Sequence, residues 1–270
     1  MKTLKVAALI PAFNEADTIA ATVAAVRGLE GVERVLVIDD GSTDETAAIA
    51  RQAGAELLRL ERNGGKGTAL QRGVEELKRA GTEGDGATVP FATVLSVSTE
   101  NVLTNGTVAP SPSVPVAPPS ILSHPDIVLL LDGDLGDSAR EAQALLAPVA
   151  EGLADMTVGI LPKPPGSGGF GVVLNLARSA IRDWGGGYDA QAPLSGQRAL
   201  SWECLQAVLP FAEGYGVEVA LTIRALQQNY RVFELMVDMR HRATGRDLAG
   251  FLHRTRQYLD VRRTIQRLAK

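Results

Sequence analysis

The sequence predicts an α/β fold in which a mostly parallel sheet is flanked by helices. Three observations predict it: short apolar segments recur along the chain, polar or glycine-rich loops follow them, and helical patterns come after most of these loops. The clearest apolar segment is residues 127–131, Ile-Val-Leu-Leu-Leu, whose lack of polar alternation is typical of a strand buried on both faces. Alternation of strand and helix at this spacing favours right-handed βαβ units.

The N-terminal part of the chain predicts three such units. Pro11 cannot continue a central strand, so the loop at residues 11–15 lies at a strand's carboxyl end, and Asp17 and Thr18 supply a helix start. The predicted strands cover residues 6–10, 35–38 and 55–60, and the helices that follow cover residues 17–27, 45–53 and about 68–80.

The C-terminal part continues the pattern after the strand at residues 127–131. The predicted elements are a helix at 138–152, a strand at 156–161, a helix at 170–182, a short strand within 193–200, a helix at 202–209, a helix from 218 to 228 and a strand at 231–239. We expect Trp184, at the end of the third of these elements, to belong to the core.

Two segments depart from this pattern. Residues 87–123 carry a single charge, Glu100, and are too rich in proline for a central strand or helix, so we interpret 86–125 as an inserted loop. The sequence leaves the role of this insertion open: it is compatible with a lid, a partner surface or a family-specific ornament. A hairpin near residues 104–106 is a further open alternative. Residues 246–270 predict a basic amphipathic helix, which either covers the core from a solvated surface or contacts anionic lipid or a phosphorylated acceptor. The remainder, residues 1–245, predicts a single domain.

Composition limits the function classes. The net charge of -4 over 270 residues gives no general attraction to nucleic acid. Cys204 is the single cysteine and lies in an apolar helical pattern, which predicts a buried thiol in a reducing compartment. No apolar run approaches the roughly 20 residues that span a bilayer, and no signal peptide is evident. We therefore expect a cytoplasmic protein, peripheral at the inner face of the membrane if the C-terminal helix binds lipid.

The chemistry is predicted where strand 127–131 ends. Asp132 and Asp134 are separated by Gly133, and two carboxylates so close repel each other unless a cation lies between them. Hard oxygen ligands suit Mg²⁺ or Mn²⁺ carrying a diphosphate, although an Asp-rich loop or helix cap is an alternative explanation. Because ligands bind at the carboxyl ends of parallel strands, the loops after strands one, two and three should meet this turn.

Four motifs give the chain a resemblance to a known family. They are Ile-Pro-Ala-Phe-Asn-Glu at 10–15, Val-Ile-Asp-Asp-Gly-Ser-Thr-Asp at 37–44, Gly-Lys-Gly at 65–67 and Leu-Asp-Gly-Asp at 131–134. In combination they resemble the nucleotide-sugar glycosyltransferases of family 2, which have the GT-A fold and include the dolichyl-phosphate mannose synthases. Residues 214–218 and 240–242 are similar to glucosyl-3-phosphoglycerate synthases, whose sugar donor is UDP-glucose.

The resemblance implies a role for each matching residue. The nucleotide-binding residues would be Pro11, Ala12, Phe13, Glu15, Asp40, Gly65, Lys66, Asp132 and Gly133, with Asp40 at the base. The metal ligands would be Asp132, Asp134 and His241, holding Mg²⁺ or Mn²⁺. The catalytic residues would be Asp134 and Glu218. Glu218 would act as base in an inverting reaction, or hold a sugar hydroxyl in a retaining one. A solvated Lys66, a surface His241 and a helix-capping Glu218 are the bland alternatives.

The implied function is a metal-dependent glycosyltransferase that moves a sugar, most readily from a UDP-sugar, to a hydroxyl acceptor. In phosphoglycerate-using relatives an arginine after the glycine loop grips the acceptor phosphate, whereas residues 168–173 here contain none. That departure favours an apolar or lipid-linked acceptor. A homodimer is compatible with this interpretation. Two other functions stay open: a sugar-phosphate nucleotidyltransferase, suggested by the glycine-rich residues 64–68, and a nucleotide-sugar-binding protein without turnover.

Overall fold

The computed structural model describes residues 4–82, 124–162, 171–212, 214–241 and 259–267. The chain divides into two compact units, residues 1–76 with 125–270, and residues 77–124. The predicted insertion falls mainly in the second unit, where residues 83–123, including the hairpin suggested near 104–106, lie outside the described residues.

The first unit is built on a seven-stranded sheet whose strand order is β3-β2-β1-β4-β6-β5-β7. The strands are β1 Val6–Ala12, β2 Val32–Asp39, β3 Glu56–Arg59, β4 Ile127–Leu130, β5 Met156–Ile160, β6 Arg198–Ser201 and β7 Val232–Met236. All neighbouring pairs are parallel except those of β6, which runs antiparallel to both β4 and β5. The predicted mostly parallel sheet is confirmed, and the direction of β6 is a feature that we did not predict.

Helices accompany the strands much as predicted. They are α1 Ile19–Arg27, α2 Thr46–Gln52, α3 Lys66–Thr82, α4 Gln143–Ala150, α5 Gly171–Trp184, α6 Trp202–Val208 and α7 Val217–Gln227. Two 3₁₀ helices, Gly136–Ala142 and Gly214–Gly216, precede α4 and α7. The predicted helix at 138–152 therefore begins in 3₁₀ geometry and becomes α-helical only at Gln143.

The sheet is covered on both faces, as the unalternating apolar strands require. Alternate residues of β1, among them Ala8 and Ile10, pack with α1, α4 and the 3₁₀ helix before α4. On the other face, a Cβ at Gly73 of α3 would lie only 3.0 Å from Ile38 and 3.2 Å from Leu9, so this glycine lets the helix approach closely. Every residue of β4 is buried.

Single residues test the remaining expectations. Cys204 is a buried free thiol, and desolvation raises its pKa to about 12. Trp184 is not a core residue: it is 40% exposed, because it ends α5 outside the cluster that buries Val173 and Ile181.

The described part of the predicted C-terminal helix is helical at residues 259–267, and residues 242–258 and 268–270 lie outside the description. Val261 is buried against α5 and α7, whereas Leu259 is 41% exposed. Within the described ranges, no helix combines the length and apolar character needed to cross a bilayer.

Candidate active site

The loop after β1 is fastened to the loop after β2. Asn14 adopts a left-handed conformation, φ 56°, which is uncommon outside glycine and is held here by two hydrogen bonds. Its Oδ1 accepts from the backbone N–H of Thr43 at 2.9 Å, and its own N–H donates to Ser42 Oγ at 3.0 Å. The N–H of Glu15 donates to Thr46 Oγ1 at 2.8 Å. The predicted nucleoside loop is therefore held at the carboxyl edge, with Phe13 43% exposed.

Asp40 holds the glycine loop that begins α3. Its carboxylate is buried and accepts hydrogen bonds from the N–H groups of Gly64, at 2.8 Å, and Gly65, at 2.7 Å. At Gly41, φ 76°, an added Cβ would lie 2.8 Å from backbone atoms of the same loop, so only glycine permits this approach. Asp40 thus fixes the position of Lys66, while its predicted contact with a base stays a prediction.

Lys66, the first residue of α3, joins two carboxylates. Its Nζ lies 2.5 Å from Asp132 Oδ1 and 2.9 Å from Glu218 Oε1, and its side chain is largely buried. Burial alone would lower the pKa of Lys66, but the two carboxylates raise it above its usual value. The side chain is therefore a fixed positive charge inside the site, which removes the alternative that it is a solvated lysine.

Asp132 follows β4 and is held from two sides. Gln197 donates from Nε2 to Asp132 Oδ2 at 2.6 Å and accepts the N–H of Asp132 on Oε1 at 3.1 Å. Desolvation would raise the pKa of Asp132, but the charges of Lys66 and His241, with the bonds from Lys66 and Gln197, lower it. The carboxylate is kept ionised and oriented.

Asp134 and His241 complete an acidic cluster. Nδ1 of His241 lies 2.8 Å from Asp134 Oδ1, and its Nε2 lies 4.0 Å from Asp132 Oδ2. Burial lowers the pKa of His241, but its bond to Asp134 and the charges of both aspartates raise it overall. One ligand atom from each of the three side chains lies within 4.8 Å of the others. Two carboxylates on one tight turn, with the imidazole of His241 brought beside them from the segment after β7, fit Mg²⁺ or Mn²⁺.

Glu218 lies in the first turn of α7 and points to Lys66. The 3₁₀ helix before it packs tightly on the helix at 259–267: a Cβ at Gly216 would overlap the hydroxyl of Thr264 and lie 2.5 Å from its Cβ. Gly214, φ 64°, faces Asp260 in the same way. The C-terminal helix thus supports the turn that aims Glu218.

The chain is similar to known glycosyltransferases, and its N-terminal part matches a family model. Residues 7–79 match the family model Glycosyl transferase family 2. Residues 7–79 are therefore similar to a glycosyltransferase family 2 domain. It is 27% identical over 247 residues to glycosyltransferase AglJ of Haloferax volcanii, covering 88% of this chain and 64% of that protein. It is 30% identical over 232 residues to glucosyl-3-phosphoglycerate synthase of Mycobacterium tuberculosis, covering 81% of this chain and 60% of that protein. The chain therefore spans less than two thirds of these relatives.

Solved structures show the same GT-A fold. The crystal structure of the M. tuberculosis synthase with Mg²⁺ and UDP superposes on this chain with a TM-score of 0.67. The two sequences are 24% identical, and the match covers 98% of this chain and 79% of the synthase chain. The complex with Mn²⁺, UDP and phosphoglyceric acid gives 0.68, at 23% identity over 98% and 78%.

The fold brings most of the predicted site residues to one edge of the sheet. Lys66, Asp132, Asp134, Glu218 and His241 form one cluster of ion pairs and hydrogen bonds. Two further predicted residues, Ala12 and Gly133, pack beneath this cluster.

Ala12 is buried, and a Cβ at Gly133 would lie 3.3 Å from its Cβ. The carbonyl of Gly133 accepts the hydroxyls of Thr18, at 3.2 Å, and Thr22, at 3.0 Å.

Pro11 was predicted to end the first strand, but it lies inside β1, half-buried and opposite Ile38 of β2. Pairing of β1 with β4 ends at Leu9, so Pro11 has a paired strand on one side alone, where a residue without an N–H is tolerated.

Sequence reasoning missed Gln197 and Gly196. Gly196 lies so close to the ion pair that a Cβ there would overlap Lys66 Nζ and lie 3.0 Å from the Asp132 carboxylate. Both residues precede β6, and their signal was the short strand predicted within 193–200. Only the antiparallel direction of that strand would have linked it to Asp132.

Proposed function

We propose that the protein is a metal-dependent glycosyltransferase that transfers a sugar from a UDP-sugar to a hydroxyl acceptor. One observation carries the proposal: the ligand atoms of Asp132, Asp134 and His241 converge within 4.8 Å at the carboxyl edge of the sheet. Lys66 lies beside them as a second source of positive charge. UDP with Mg²⁺ or Mn²⁺ in the M. tuberculosis synthase supports this choice of sugar donor and cation.

The residues of the site would divide the work of breaking the anomeric bond. Asp132, Asp134 and His241 would hold the cation, which supplies positive charge to a departing diphosphate. Lys66 keeps its proton because of its raised pKa, so a diphosphate would compete with Asp132 and Glu218 for its ammonium group. Residues 11–15, which are the end of β1 and the loop after it, would line the nucleoside pocket, and Asn14 of this loop is hydrogen-bonded to Ser42 and Thr43.

Glu218 is the residue we assign to the acceptor side. Its Oε1 is bonded to Lys66, and its second oxygen is the atom that would accept the proton of an acceptor hydroxyl in an inverting reaction. In a retaining reaction the same oxygen would hold a sugar hydroxyl. In both cases Lys66 links the donor and acceptor sides of the site.

The acceptor that we propose has an apolar part. Val172, in the first turn of α5, is 70% exposed, whereas Val173 is buried in the core and Phe170 lies outside the described residues. The proposal of an apolar acceptor therefore rests on exposed Val172 and on the absence of an arginine from residues 168–173. Peripheral membrane contact through the C-terminal helix, a cytoplasmic location and a homodimer remain proposals.

An assay of a panel of sugar nucleotides tests the function. The protein is incubated with UDP-glucose, GDP-mannose and related compounds, with and without Mn²⁺, and the released nucleotide is measured. Metal-dependent release of UDP supports transfer. In a parallel incubation with a nucleoside triphosphate and a sugar phosphate, release of pyrophosphate would instead identify a nucleotidyltransferase. Binding of a sugar nucleotide without turnover would identify a non-catalytic protein.

The variant Asp134→Ala tests the metal assignment. We expect Mn²⁺-dependent UDP affinity to fall by more than the roughly 10- to 100-fold typical of outer-shell changes, because a ligand itself is lost. Asp137→Ala is the matched control, since Asp137 lies one turn away with its side chain 79% exposed. Calorimetric titration checks both variants, and unchanged affinity in Asp134→Ala would contradict the assignment.

A further inference from the structure

We propose that Gln197 is a positioning residue of the cation site and that the buried Arg198 fixes Gln197 in place. The inference rests on the proposed function, because it concerns the same metal-diphosphate site. Residues 195–198, which lie outside the predicted motifs, thereby gain a positioning role in the site.

The direction of β6 puts Gln197 beside Asp132. Because β6 runs antiparallel to β4, with Arg198 opposite Leu130, the residues that enter β6 lie next to those that leave β4. A parallel strand would have carried Gln197 to the opposite edge of the sheet. The antiparallel direction of β6 thus places the amide of Gln197 beside the turn that carries Asp132.

The amide of Gln197 is matched to Asp132. It is fully buried and uses both ends, accepting the backbone N–H at 3.1 Å and donating to Oδ2 at 2.6 Å. A terminal carboxylate torsion is otherwise broad, but Lys66 on Oδ1 and Gln197 on Oδ2 hold its plane. The orientation in which Asp132 faces His241 is therefore set before a cation arrives.

Arg198 is a buried cation that joins two parts of the site. It is 1% exposed, and desolvation lowers its pKa to about 10. Its Nε donates to the carbonyl of Ser195 at 2.9 Å, and its Nη1 donates to Thr222 Oγ1 at 2.9 Å. Nη2 has no hydrogen-bond partner among the described residues. An apolar side chain would suit such a position better for stability alone.

The hydrogen bonds of Arg198 reach the backbone of the two segments that position the carboxylates contacted by Lys66. The Ser195 carbonyl belongs to the turn that presents Gln197 to Asp132. The Thr222 hydroxyl donates to the carbonyl of Glu218 at 3.0 Å, so Arg198 also reaches the first turn of α7. The buried side chain of Arg198 thus connects two elements. One is the turn before β6, which orients the metal ligand Asp132, and the other is α7, which carries Glu218.

The experiment measures Mn²⁺ binding by electron paramagnetic resonance in the presence of UDP, with thermal unfolding as the stability readout. Gln197→Met keeps the length of the side chain and removes both hydrogen bonds. We expect its Mn²⁺ affinity to fall by about 10- to 100-fold, with a modest fall in melting temperature because the N–H and Oδ2 of Asp132 each lose one hydrogen bond. The matched control is Gln206→Met on α6, where Gln206 Nε2 has no hydrogen-bond partner among the described residues, and wild-type Mn²⁺ affinity is expected.

Three results would overturn the inference. Wild-type Mn²⁺ affinity in a folded Gln197→Met protein would contradict the role of Gln197 while leaving the proposed function intact. Absence of Mn²⁺ binding in the wild type would contradict the proposed function and this inference with it. If Gln197→Met does not fold, Arg198→Lys decides: it keeps the charge but cannot reach Ser195 and Thr222 together, and unchanged Mn²⁺ affinity would contradict the inference.

Discussion

Lys66 supplies the positive charge that is shared by two carboxylates of the site. It neutralises Asp132 and Glu218 at 2.5 and 2.9 Å, and both partners are themselves largely buried. Removing one member of a buried ion pair leaves an uncompensated charge, which costs far more than the loss of an exposed pair. Two assigned roles, metal ligation and acceptor activation, therefore depend on one ammonium group.

The substitution Lys66→Met tests this dependence. We expect a loss of about 3 kcal/mol in the free energy of unfolding, because two carboxylates lose their cation, and a fall in turnover of roughly 10²-fold to 10³-fold. Urea denaturation and UDP release measure the two effects.

Arg72→Met, on the same helix, is the control for Lys66→Met. It removes an exposed pair with Glu75, and its stability should stay within about 1 kcal/mol of the wild type. A Lys66→Met protein as stable and active as this control would show that the charge balance is not needed.

Residue types at strand ends could be predicted, and their partners could not. Asp132, Asp134, Lys66 and His241 were found because their motifs carry a chemical pattern, and they meet in the structure. Gln197 carries no such pattern, because a glutamine before a short strand is ordinary. Its meaning comes from a neighbour 65 residues away in sequence.

At the level of helices and strands, local patterns predicted what each segment forms but not how it is oriented. The unbroken apolar runs of β1 and β4 predict central strands, and both are buried at the middle of the sheet. Four residues of β6 give no information on direction, since the side-chain period is the same in either sense. The 3₁₀ helix before α4 was likewise hidden, because its residues also suit an α-helix.

The 3₁₀ helix Gly214–Gly216 offers a test of how neighbouring elements aim Glu218. Gly216→Ala would place a Cβ on the buried side chain of Thr264, and we expect the free energy of unfolding to fall by about 1 to 3 kcal/mol with a loss of turnover. Gly171→Ala is the control, because nothing lies within 4 Å of a Cβ there and α5 should tolerate it. If the two variants behave alike in denaturation and turnover, the packing of the C-terminal helix does not support the site.

Considered as a whole, the chain assembles its site from segments that are far apart in sequence. The described site residues come from 11–66 and from 132–241, on either side of the predicted insertion. The order of strands brings the ends of β1, β2, β3 and β4 together, as parallel pairing requires. This convergence was predictable from strand-helix alternation and four motifs. The contribution of β6 required the structure.

Anomalous diffraction from crystals soaked with Mn²⁺ and UDP would locate both the cation and the nucleotide. We expect a manganese peak within coordination distance of Asp134 and His241, beside Asp132, with the diphosphate of UDP on the cation and within reach of Lys66. A manganese peak only at another place on the molecule, or UDP bound away from the ends of β1, β2 and β4, would contradict the proposed site.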